Sequence, residues 1–126
     1  MEKEIKFRAL RLDNNCFAFG YLEYNHRYNT SFIHTTIGVI DDRFVVNSET
    51  VEQFTGLQDK NGVDIYEGDI LEYIADVYHD IKLITQVIWN NDFATFALED
   101  DKVFDWVRYN GIKVIGNIHE NKELLK

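Results

Sequence analysis

Proline is absent from this 126-residue chain, so no cis-prolyl turn enters its description. A single cysteine, Cys16, excludes an internal disulfide and suits a reducing compartment. Beside Phe17 it reads as a small buried hydrophobe, not a nucleophile. No apolar run approaches the ~18 residues that a membrane helix needs, and Met1-Glu2-Lys3-Glu4 is not followed by an apolar signal core. Positive charge is scarce as well. Lys and Arg number 13 against 22 Asp and Glu, a formal net charge of −9, with a pI near 4.8. Sequence-independent nucleic-acid binding draws on cations that neutralise phosphates, so this balance disfavours it. Lys3, Lys6, Arg8 and Arg11 form one basic cluster, read as the solvated face of a strand. What remains is the expectation of a soluble, cytoplasmic protein.

Apolar material is plentiful: 45% of residues are hydrophobic and 14% aromatic, which separates the chain from disordered compositions. The length suits one domain, or two small subdomains sharing a core. Ile5, Phe7 and Ala9 alternate with Lys6 and Arg8, the period of a strand with one wet face. Asp13-Asn14-Asn15 supplies a turn into a second strand, Cys16 to Tyr24. Asn25 to Ser31 reads as a loop. Phe32 to Ile40 and Arg43 to Val46 read as short strands broken at Gly38 and at Asp41-Asp42. Asn47-Ser48-Glu49-Thr50 interrupts the pattern, caps a single helical turn and marks a subdomain boundary. Beyond it, five closely spaced strands with hairpin turns suggest a small barrel. They include Ile81 to Trp89, Phe93 to Leu98, Val103 to Tyr109 and, after Asn110-Gly111, Ile112 to Ile118. Asn117 to Lys126 ends in a short helix too small to stand without docking.

The stretch from Val51 to Tyr73 holds most of the acidic and glycine punctuation. Asp59-Lys60-Asn61-Gly62 reads as a hairpin turn in which Asn61-Gly62 supplies positive φ. Asp59, Asn61 and Asp64 superficially suggest a calcium loop. Counted from Asp59, however, the sixth and twelfth positions hold Asp64 and Ile70, where an EF-hand needs Gly and Glu. In a strand Glu67 and Asp69 share a face, where two carboxylates perturb each other and serve acid/base chemistry. The plainer reading, which we favour, has Asp69 bonding backbone N–H groups at a Gly68 corner. His26, His34, His79 and His119 show no ligand spacing, and Cys16 lacks a partner, so no metal or cofactor is expected. Tyr66, Tyr73, Trp89, Phe93, Phe96, Phe104, Trp106 and Tyr109 fall on adjacent expected strands. Such a row serves as core, as a base-stacking platform or as an interface patch.

Three segments resemble one family in order along the chain. Ile5-Lys6-Phe7-Arg8-Ala9 resembles its N-terminal strand. Phe54-Thr55-Gly56-Leu57, Asp59-Lys60-Asn61-Gly62 and Ile65-Tyr66-Glu67-Gly68-Asp69-Ile70 resemble its central signature, and Val114-Ile115-Gly116-Asn117-Ile118-His119-Glu120-Asn121 its closing motif. The family is YopX, phage and prophage proteins with no established activity. The resemblance implies a phage or prophage origin, a mostly β fold whose C-terminal part is similar to an SH3-type barrel, and self-association. It carries no catalytic residue. Its signature positions are Phe54, Gly56, Asp59, Asn61, Gly62, Tyr66, Glu67, Gly68, Asp69, Gly116, Asn117 and Asn121, read as structural.

The expected architecture is mainly β: an N-terminal β-rich subdomain over 1–50, then a small SH3-like five-stranded barrel over 51–126 with a short C-terminal helix. The expected function is that of a non-catalytic, homo-oligomeric interaction protein that binds a host or phage protein. Two alternatives are a nucleic-acid-binding accessory factor using Lys6, Arg8 and Arg11, and a metal-dependent hydrolase using Glu67 and Asp69.

Overall fold

The computed structural model describes residues 4–37, 40–76, 78–99 and 111–125. The fold is mainly β, with antiparallel strands β1 (Phe7–Leu10), β2 (Phe17–Asn25), β3 (Thr30–Ile37), β4 (Ile40–Val46), β5 (Glu52–Gln58), β6 (Asp64–Tyr66), β7 (Asp69–Asp76), β8 (Ile81–Asn90), β9 (Thr95–Leu98) and β10 (Lys113–Asn117). Two compact units divide the chain, Met1–Gly56 and Leu57–Lys126, so the division falls inside β5. No helix among the described residues is long and apolar enough to cross a membrane. The expected strand Val103 to Tyr109 lies outside the described residues.

In the first unit the strand order is β4-β3-β2-β1-β5. Asp41-Asp42, expected to break a strand, instead sit within β4, opposite Thr36 and Thr35. Asp42 is exposed, so its carboxylate remains in water while its backbone completes the ladder. β2 pairs with β1 from Phe17 to Gly20 and with β3 from Tyr21 to Asn25, changing partner at Gly20. At that change a Cβ on Gly20 would lie 2.0 Å from the His34 carbonyl oxygen, and its φ is +153°. Only glycine fits so close a backbone approach. The sheet also returns on itself: the Leu12 N–H donates to Val45 O at 3.1 Å and the Asn47 N–H to Leu10 O at 2.8 Å. Around that closure Ala9, Ala18, Ile33 and Val46 form a buried cluster, with Phe7, Phe44 and Val51 packed on it. Small side chains facing each other at Ala9 and Ala18 let the strands curve this tightly. A single 3₁₀ turn, Ser48–Thr50, is capped as the composition suggested, by the Asn47 side chain accepting from the Glu49 N–H.

Within the second unit the order is β10-β7-β8-β9, and the end of β5 pairs with β6 across the turn between them. Its core is Ile65, Leu71, Tyr73, Val87, Leu98 and Ile112. A kink separates Val114 from Gly116 where β10 shifts register against β7. The chain closes on a single 3₁₀ turn, Lys122–Leu125, in place of the expected short helix.

Candidate functional site

Chemistry-bearing side chains gather in two places, the corner of the second unit where the signature residues meet and a cavity in the first. At the corner, Asp59 is buried, and its carboxylate accepts three backbone N–H groups. Oδ1 takes those of Asn61 at 2.8 Å and Val63 at 2.9 Å, and Oδ2 takes that of Val114 at 3.0 Å. Burial pushes the Asp59 carboxyl up, but the donors of Val114, Val63 and Asn61, helped by the Lys113 charge, outweigh it and hold the group below its ordinary value. A carboxylate so held is a poor proton acceptor and a good fastener. It ties the β5–β6 turn to β10. The turn differs from the expected Asn61-Gly62 tight hairpin, since of the two only Gly62 has positive φ, at 79°. The Gly62 N–H donates to Asp59 O and the Asp59 N–H to Val63 O, the pattern of a type I turn ending in a glycine bulge.

Asp69 is 1% exposed and accepts the Tyr66 N–H at 2.8 Å through Oδ2. Glu67 and Gly68 form the turn between β6 and β7, so Glu67 does not share a strand face with Asp69. The shared-face geometry on which the hydrolase alternative rests is thereby removed. Gly68 donates to Val87 O and accepts from the Ile118 N–H, both at 2.9 Å, binding this turn to β8 and to the segment after β10. There a Cβ on Gly116 would lie 2.6 Å from Asn121 Oδ1, the oxygen that accepts the Asn117 N–H at 3.2 Å. The Asn117 side chain in turn accepts the N–H groups of His119 and Glu120, each at 3.0 Å. In the first unit Phe54 is buried, with Lys6 Nζ 4.7 Å from its ring centroid, and Gly56 lies in β5.

The basic cluster does not form a row of phosphate-facing cations. Lys6 Nζ lies 3.3 Å from Glu4. Arg8 Nε bonds Glu52 at 3.0 Å with both side chains buried, and its guanidinium covers the Phe17 ring. Arg11 bonds Asp13 through Nε at 2.9 Å and Nη2 at 2.6 Å, and lies on the Phe44 ring. Those hydrogen bonds hold the Asp13 carboxyl below its ordinary value. Lys3 lies outside the described residues. Nothing in the neighbours of Glu52 along the chain announces that Arg8 stands opposite it.

Nor do the aromatics of the second unit make one platform. Tyr66 and Tyr73 are buried in the core, whereas Trp89 is half-exposed edge-on to Phe96 and Phe93 is largely exposed. Phe104, Trp106 and Tyr109 lie outside the described residues. Cys16, expected to be buried, is exposed in the β1–β2 turn. Among the described residues no three His, Cys, Asp or Glu side chains stand close enough to hold a metal ion.

A cavity of about 530 Å³ lies in the first unit, where β2 changes partner. Phe17, Phe19 and Tyr21 of β2 border it together with Phe44, Arg11 and His34. His34 Nε2–H donates to Glu23 at 2.5 Å, which orients the imidazole. Its sequence signal was the alternation of Phe17, Phe19 and Tyr21 around Gly20, a glycine in a strand pattern that marks a bend.

A family model described as YopX protein matches residues 6–126. The crystal structure of protein EF1440 from Enterococcus faecalis is similar at 27% identity and a TM-score of 0.64, covering 99% of this chain and 100% of that one. No curated protein matches.

Proposed function

This chain belongs to the YopX family, and from that premise we propose that it is a phage- or prophage-encoded accessory protein that acts by contact. It catalyses no reaction, associates with itself and binds a host or phage protein in the bacterial cytoplasm. Its second unit is taken as an SH3-type small barrel, a reading supported by the antiparallel β7-β8-β9 succession with β10 beside β7. The first unit is the N-terminal subdomain.

One contrast carries the reading. The signature carboxylates of Asp59 and Asp69 are engaged by backbone N–H groups, while large rings stand in water: Tyr21 is 63% exposed, Tyr28 66%, Phe93 68% and Tyr78 96%. Exposed aromatic rings in number are the composition of binding surfaces, where Tyr, Trp and Arg supply most of the affinity. The pairing of Lys6, Arg8 and Arg11 with carboxylates supports a protein partner over a nucleic acid.

Light scattering across a range of concentrations tests self-association, with a mass several times the 14.9 kDa of one chain as the expected result. Affinity capture from infected-cell lysate tests the partner. A strict monomer that retains nothing specific overturns the reading.

A further inference from the structure

We propose that Asn61 is a deamidation site whose isoaspartyl product releases the β5–β6 turn from β10. Among the described residues Asn61 is the one asparagine followed by glycine. Lacking a Cβ, Gly62 leaves its backbone nitrogen open to approach by the neighbouring carboxamide. Both residues are exposed, and among the described residues the Asn61 side chain has no hydrogen-bond partner. By contrast, the side-chain oxygens of Asn14, Asn25, Asn47, Asn90 and Asn117 each accept a backbone N–H of their own turn. A carboxamide so engaged is held away from the nitrogen that follows it.

The closed turn opposes the reaction. The Gly62 N–H is held on Asp59 O at 3.0 Å and the Asn61 N–H on Asp59 Oδ1 at 2.8 Å. The Lys60 N–H, donating to Ile112 O at 3.0 Å, and the Val114 N–H, donating to Asp59 Oδ2 at 3.0 Å, tie the same turn to β10 and the residue before it. Attack therefore proceeds from the open turn, and its rate follows the population of that form. There the Gly62 nitrogen loses its proton to hydroxide and bonds to Asn61 Cγ. The Cγ–Nδ2 bond breaks, and Nδ2 takes a proton from water and leaves as ammonia. Water then opens the succinimide: addition at the side-chain carbonyl gives aspartate, addition at the main-chain carbonyl gives isoaspartate. The isoaspartyl backbone carries an extra methylene between the N–H groups of residues 61 and 63, the two that Asp59 Oδ1 accepts together. One oxygen no longer reaches both, and the new carboxylate repels that of Asp59.

Tryptic mapping by mass spectrometry, with aspartate and isoaspartate separated by chromatography, follows the conversion during incubation at mildly alkaline pH. The folded wild type should form both products at residue 61, more slowly than the same chain in urea. Asp59→Asn should accelerate the native reaction about tenfold, equivalent to ~1.4 kcal/mol of lost restraint. Should that variant not fold, Asp59→Ser takes its place. Gly20→Ala, which acts in the first unit, should leave the rate unchanged. The purified isoaspartyl form should melt below both the wild type and Asn61→Asp, which carries the added charge without the extra methylene. A folded protein that stays unconverted while the urea-treated chain reacts, or that reacts as fast as that chain, overturns the proposal. Equal acceleration by Gly20→Ala and Asp59→Asn does so as well, because it means that the whole fold opens and not this turn. An isoaspartyl form as stable as Asn61→Asp overturns the release from β10.

Discussion

At the scale of single residues, Asp59 is where the signature does most of its structural work. Its carboxylate accepts three backbone donors, two from the turn and one from β10. Asp59→Asn keeps one acceptor oxygen and places an amide donor opposite the remaining N–H. With Asp59 only 8% exposed, the loss and the mismatched donor pair should lower stability by ~1–3 kcal/mol in urea unfolding. The pH dependence has a definite sign. Because the folded carboxyl lies below its ordinary value of 3.8, its contribution is fully present above the unfolded pKa. It is lost as the pH falls through the folded one. The gap between wild type and Asp59→Asn should therefore be flat from neutrality down to about pH 4.5 and close only below that, near the carboxylate range. A gap that closes between pH 6 and 5 would mean that a histidine, not Asp59, governs the difference.

At the scale of elements, two pairings decide how the first unit holds its shape. Arg8 and Glu52 face each other across β1 and β5, with side chains 6% and 7% exposed. Removing either charge alone takes away the other's buried ion-pair partner, so Arg8→Met or Glu52→Leu should each cost ~3–5 kcal/mol, whereas the double variant should lie within about 1 kcal/mol of wild type or above it. A double-mutant cycle by urea unfolding measures this, and purely additive losses would show that the pair is not a coupled unit. β2 depends on Gly20 in a different way. A methyl group there meets backbone, 2.0 Å from the His34 oxygen, at a φ of +153°. Gly20→Ala should thus cost ~2 kcal/mol or more and loosen the β2–β3 hairpin, read as faster amide exchange at Tyr21 to Asn25.

These elements also show what could be read before folding. Alternation in Phe7 to Ala9 and along Phe17 to Tyr21 announced strands, and Asp59 to Gly62 announced a turn, because local periodicity and turn chemistry are carried by neighbouring residues. Asp41-Asp42 misled because an exposed strand tolerates acidic side chains that usually mark loops. The closure of β1 on β4 was illegible, since it is made by backbone groups of Leu10, Leu12, Val45 and Asn47, which leave no trace in side-chain type. The cavity was half-legible: its rings alternate visibly on β2, but Phe44 and His34 join them only through the fold.

At the scale of the whole molecule, charge and fold fail at different acidities, and the order of failure is predictable. A formal charge of −9 per chain at pH 7 holds assemblies of the protein apart from one another and in solution. That repulsion vanishes near the pI of 4.8. The Asp59 fastening survives to lower pH, because its carboxyl lies below 3.8. On acidification the chain should therefore lose solubility first, around pH 4.8, while far-UV circular dichroism of the remaining soluble fraction is unchanged. Loss of the β signal should follow only below about pH 4, where the Asp59 carboxylate takes up its proton and releases the N–H groups it holds. Exposed rings such as Tyr21, Tyr78 and Phe93 make this interval one of association between folded copies, with no need for a partly unfolded state. Turbidity and circular dichroism recorded on the same titration check the order. If the β signal falls before or together with solubility, precipitation reflects unfolding, and the exposed rings are not what brings the copies together.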